Sequence, residues 1–191
     1  MEAATQTQLT VGGFLPWVNM MLDYMDEIAA LIPEDKLDWR PEDPTGRFTF
    51  SLGEIAMHAA DARRMFARQL AGNDSEEDYW SEGPNEQGVW KFREYGDKQT
   101  ILNSLADARQ ELKAYIDMPA KAYTETTDGT RKAYEKLLAQ MREQGKNTTE
   151  IEARGPSNIV RVMMATIAHE SGHRGSLQTL LRQFGIYTKV E

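Results

Sequence analysis

Apolar residues recur every three to four positions along four stretches of the chain, and each stretch is bounded by residues that start or stop a helix. The first runs from Phe14 to Leu31, with Pro16 near its beginning and Pro33 just beyond its end; a start as early as Thr5 also fits. Pro33 to Phe50 holds Pro41, Pro44 and Gly46 among polar residues and reads as a loop draped over the helices, pinned by Trp39 and Phe48. At Ser51 a hydroxyl and the carboxylate of Glu54 stand three residues apart, the spacing of a capping box, and a second helix follows through Leu52, Ile55, Ala59, Ala62 and Phe66 until Gly72 and Asn73. Asn73 to Gly96, with Trp80 and Trp90, predicts a long crossover without regular structure.

A third stripe, Ile101, Leu102, Leu105, Ala108, Leu112 and Ile116, begins near Asp97 and ends before Pro119. Thr124 to Gly155 is poorer in large apolar residues, and Tyr134, Leu137, Leu138 and Met141 predict one modest extra helix between Gly129 and Gly145. Pro156-Ser157 then opens a long helix to Phe184, with Gly185 where a left-handed cap is wanted. No alternating, strand-like run competes. The pattern predicts an all-α, antiparallel four-helix bundle, with a long loop between helices two and three and a small extra helix before the last long one. The whole chain, 1–191, reads as a single domain.

Composition narrows the function classes. A net charge of −8 argues against a nucleic-acid backbone or an anionic membrane as a standing partner. No stretch is apolar enough for a membrane span, and Met1 to Thr10 lacks the regions of a signal peptide, so the expected location is the cytoplasm. Arg63, Arg64 and Arg68 read as a solvated helix face, and Met20, Met21, Met163 and Met164 as fillers of core gaps. Trp17, Trp80 and Trp90 read as core or loop anchors. The chain has no cysteine, so a metal ion would be held by nitrogen and oxygen.

That matters because two of the chain's three histidines, His169 and His173, stand four residues apart in the last helix. Such spacing puts both rings on one face, one turn apart, able to share an ion. His58, near the inner face of helix two, is the available third ligand. His169-Glu170-Ser171-Gly172-His173 matches the H-E-x-x-H text of zinc proteases, in which Glu170 would be the general base. A protease is disfavoured. The third ligand would have to come from far upstream, and Ser176 and Thr179 occupy the positions where the extended protease pattern has a glycine and a histidine.

The residues resemble instead the DinB-like superfamily of metal-binding four-helix bundles. One part of the resemblance is Ser-Leu-Gly-Glu-Ile-Ala-Met-His58. The second is His169-Glu-Ser-Gly-His173 followed by Arg174, Gly175, Arg182 and Gly185, and the loop Leu37-Asp-Trp-Arg-Pro41 adds a third. Ser176 departs from the family's frequent glutamine, and the Thr124 to Gly155 excursion is longer than usual and could remodel the pocket. The resemblance implies a divalent ion, zinc or nickel, on His58, His169 and His173. It also implies a small-molecule substrate, a low-molecular-weight thiol as possible co-substrate, and a homodimer. No sustained heptad seam marks the dimer in the sequence.

Three imidazoles leave the ion's charge uncompensated and coordination positions open, as in catalytic zinc sites, although they suit nickel, copper and iron as well. The expectation is therefore a metal-dependent enzyme that activates a thiol or water, of thiol S-transferase or hydrolase type. The alternative is a non-catalytic bundle, stapled by metal, that serves in stress response or as a binding module. Metal binding should weaken as pH falls through roughly 6.5. Glu54 and Asp61 rank ahead of Glu170 as acceptors for the ligand rings, and Glu170 is the one candidate catalytic residue. Arg174 and Arg182 read as cations complementing a helix end, and Gly175 as the site of a close backbone approach.

Overall fold

The computed structural model describes residues 11–45, 49–71, 95–116 and 125–187. Its helices are α1 (Val11–Ala30), α2 (Leu52–Ala71), α3 (Lys98–Ile116), α4 (Asp128–Glu143), α5 (Thr149–Arg154) and α6 (Ile159–Leu181), with no strand among the described residues. The start near Thr5, the Phe48 pin, the crossover bearing Trp80 and Trp90 and the stop at Pro119 lie outside the described residues.

The starts of α2 and α3 are where the sequence puts them, and hydrogen bonds say why. At α2 the capping box is complete: the Glu54 amide donates to Ser51 Oγ at 3.1 Å, and the Ser51 amide to Glu54 Oε2 at 2.8 Å. Two further helix-end donors find the preceding loop, the Leu52 amide reaching the Trp39 carbonyl and the Gly53 amide the Leu37 carbonyl. Trp39 packs edge-to-face on Phe184, so the expected pin is in place. Asp97 caps α3 by accepting from the Thr100 amide at 2.8 Å. The excursion holds two helices rather than one, because Gly145, at φ 66°, turns the chain between α4 and α5. α6 begins later than Pro156-Ser157, at the cap Asn158, and the chain leaves it through a 3-10 turn, Arg182–Phe184, closed by Gly185 at φ 72°.

Four helices, α1, α2, α3 and α6, form the bundle, and α4 packs on α2. Cross-helix contacts fix their directions. Arg63 meets Leu105 and Arg68 meets Glu111, so α2 and α3 run parallel; Asp26 meets Arg109 and Glu34 meets Lys98, so α1 opposes α3. Two helices run each way, and the parallel neighbours α2 and α3 are the pair that needs a long crossover. One apolar core, with Ile32, Leu52, Ile101, Leu177 and Leu181, lies at the α2 N-terminal end. A second, with Val18, Phe66, Leu70, Leu112 and Met163, lies at the other. Met21 and Met163 fill core space as expected, but Met164 (49% exposed) and Trp17 (61%) face outward.

Candidate metal centre

His58 comes from the second turn of α2, and His169 and His173 come from adjacent turns of the antiparallel helix α6. Their Nε2 atoms converge, with His169 3.2 Å from His58 and 3.0 Å from His173. The ring centroids lie 4.3 to 5.0 Å apart. Hydrogen bonding alone does not account for the arrangement. A neutral imidazole has one donor and one acceptor nitrogen, so the single lone pair or proton on His169 Nε2 cannot serve both neighbours well. A shared cation would resolve the conflict: zinc–nitrogen bonds of about 2.0–2.1 Å in a tetrahedron place nitrogens about 3.3 Å apart, close to the two separations from His169. Among the described residues these three side chains form the group able to hold an ion, and no carboxylate joins it.

Burial keeps the rings neutral, the state that ligates. It lowers the His58 pKa to about 4, helped by the neighbouring His169. His173 falls to about 3, again through burial first and then its two histidine neighbours, and His169 is lowered by burial. Proton competition with a metal therefore begins below the 6.5 expected from the sequence.

The DinB superfamily profile matches residues 19–177, which include all three histidines. The chain belongs to the DinB superfamily. It matches no curated protein and no solved structure.

Around the three nitrogens, this DinB protein departs from several expectations. Neither Glu54 nor Asp61 accepts a hydrogen bond from the Nδ1 of His58 or of His169, both of which are buried and make none. Glu54 is held instead by Ser51 and by a two-pronged pair with Arg40. Asp61 is buried, not exposed, and pairs with Arg64. Glu170 is 1% exposed and turns both oxygens to Arg63, Oε1 at 3.1 Å and Oε2 at 2.8 Å. Burial raises the Glu170 pKa, and the Arg63 guanidinium opposes this by holding the carboxylate form.

Arg63 is the largest correction. Expected on a solvated face, it is 0% exposed, because it continues the inward stripe Leu52, Ala56 and Ala59 and the alanines leave room for its side chain. Arg64 meets Ser104 and Arg68 meets Glu111, so they join α2 to α3. Arg174 stacks on the Tyr24 ring of α1, 4.4 Å from its centroid, which adds a cation–π contact to any helix-end effect. Gly175 admits no close neighbour: a Cβ there, or at Gly172, would meet nothing within 4 Å. Both glycines instead line a groove of about 710 Å³ with Thr49, Phe50, Ile55 and Ser176. Among the described residues, none of the groove's lining comes from the Thr124 to Gly155 excursion, which borders a different cavity near Gln69 and Arg161.

Proposed function

We propose that this DinB-superfamily protein is a metal-dependent enzyme that activates a thiol or a water molecule for S-transfer or hydrolysis. The convergence of three neutral Nε2 atoms carries this reading. When bound, a zinc or nickel ion with three neutral ligands would keep open positions and acidify a thiol or water placed there. His58, His169 and His173 would hold the ion. The groove alongside supplies room for a small molecule, since Ile55 lies one turn before His58 and Gly172 directly precedes His173. Among the described residues the groove's lining is uncharged, which favours an uncharged body on the substrate. The hydroxyls of Ser176 and Thr179 spend their protons on the carbonyls of Gly172 and Gly175, leaving oxygen lone pairs toward ligand donors. Glu170 is assigned no proton transfer, because its oxygens are committed to Arg63.

Elemental analysis of the native protein, followed by cobalt substitution, tests this reading. We expect one ion per chain and a visible spectrum that changes when a small thiol or anion is added. A bound ion with an inert spectrum would favour the metal-stapled bundle, and a chain that binds no ion would sink both readings.

A further inference from the structure

Arg63 uses every donor it has. Nε and Nη2 grip Glu170 of α6; Nη1 reaches Asp26 of α1 at 2.6 Å and the Leu105 carbonyl of α3 at 3.2 Å; and Nη2 also reaches the Leu22 carbonyl of α1 at 3.3 Å. A guanidinium has five N–H bonds, and five contacts take them. One side chain of α2 thus ties all three other helices of the bundle at its centre. Arg109 continues the network by pairing with Asp26 and Asp23.

The placement matters more than the count. Between Met163 and Leu177, the stretch of α6 that carries both histidines, the buried residues are Thr166 and Glu170, both polar. The two apolar cores hold α6 above and below this stretch. Within it, Gly172 and Gly175 flank His173 with open space around them, and each glycine weakens the helix by up to about 1 kcal/mol against alanine. Apolar packing is non-directional and leaves residual freedom to slide or rotate. A two-pronged arginine–carboxylate pair does not, because its two parallel bonds fix distance and angle together.

We infer that the Arg63–Glu170 pair is the device that sets the register of α2 against α6, so that Arg63 and Glu170 are positioning residues for the metal ligands. The pair sits five residues beyond His58 on one helix and next to His169 on the other. It supplies a second fixed point, without which the His58–His169 approach could pivot. The inference rests on the metal reading above and adds what holds the ligands in place.

Replacing both partners, R63M/E170M, separates register from stability. Apolar side chains of similar volume in place of a buried pair are often neutral or stabilising, so the double variant should keep its helical circular dichroism and cooperative melt. We expect its zinc dissociation constant, measured by calorimetry on the metal-free full chain, to rise about 10- to 100-fold. The visible bands of its cobalt form should shift as well. Wild-type affinity and an unaltered cobalt spectrum in R63M/E170M would overturn the inference and leave the metal reading standing. Should the double variant lose its helical spectrum, E170Q decides by the same two readouts: weakened zinc binding supports the inference, and unchanged binding overturns it. A wild-type chain that binds neither zinc nor cobalt would remove the metal reading and this inference with it.

Discussion

A histidine in water changes charge near pH 6.5, but burial in this site holds His58 and His173 neutral down to about 4 and about 3. In the unfolded chain the same rings return to their ordinary value, so between these limits the unfolded state binds more protons than the folded one. The histidine contribution to stability is therefore complete above about pH 6.5 and is lost as pH falls toward the folded values. We expect urea denaturation of the metal-free protein to show falling stability from about pH 7 to about pH 5. In His173→Gln that loss should be smaller, and equal losses in the two proteins would contradict the burial argument. For the loaded protein the same shifts predict zinc binding that stays flat through pH 6.5. A titration midpoint there would mean that the rings are more solvated than the structure has them. Replacing His58 with alanine should abolish tight binding, and wild-type stoichiometry in that variant would refute the three-histidine site.

The elements were legible in the sequence to the degree that local chemistry decides them. Ser51, Glu54, Asp97 and Gly185 act within a few residues of themselves, and each cap is where its spacing puts it. Gly53 shows the limit of that logic. Within a helix it reads only as a weak position, yet a Cβ there would stand 2.6 Å from the Tyr95 ring, whose hydroxyl bonds Asp38 and Ser51. Tyr95 lies 42 positions along the chain, beyond any local pattern. Overpacking of this kind costs about 1–3 kcal/mol, more than the helix propensity that alanine would return. We therefore expect Gly53→Ala to lower the denaturation midpoint, and an unchanged or higher midpoint would show that the ring gives way freely. Arg63 was misread for a related reason. Three nearby arginines look like a solvated face, whereas the alanine-lined stripe that carries Arg63 inward gains meaning only with Glu170, 107 residues away, in place.

At the scale of the molecule, the site joins α2 to α6, helices far apart in sequence whose mutual direction the hydrophobic pattern leaves open. Helical stripes carry no sense of up or down, and so the parallel α2 and α3 were not legible even though the long crossover between them was. The histidines were, because their spacing is itself the chemistry. A ligand that binds only the folded bundle stabilises it by mass action, by about 4 kcal/mol when the free ion stands at roughly 1,000 times its dissociation constant. For a chain of this length each kcal/mol moves the melting temperature by about 2–4 °C. Removing the metal with a chelator should therefore lower Tm by roughly 10 °C, and zinc should restore it. His169→Ala supplies the control, because the His169 Nε2 lies 3.2 Å from that of His58 and 3.0 Å from that of His173, and its loss removes one of the three nitrogens. Its melting temperature should be insensitive to chelator and to zinc. A His169→Ala protein that still gains stability from zinc would place the ion elsewhere in the molecule, and a wild-type Tm unmoved by chelation would mean that no ion bridges the two helices.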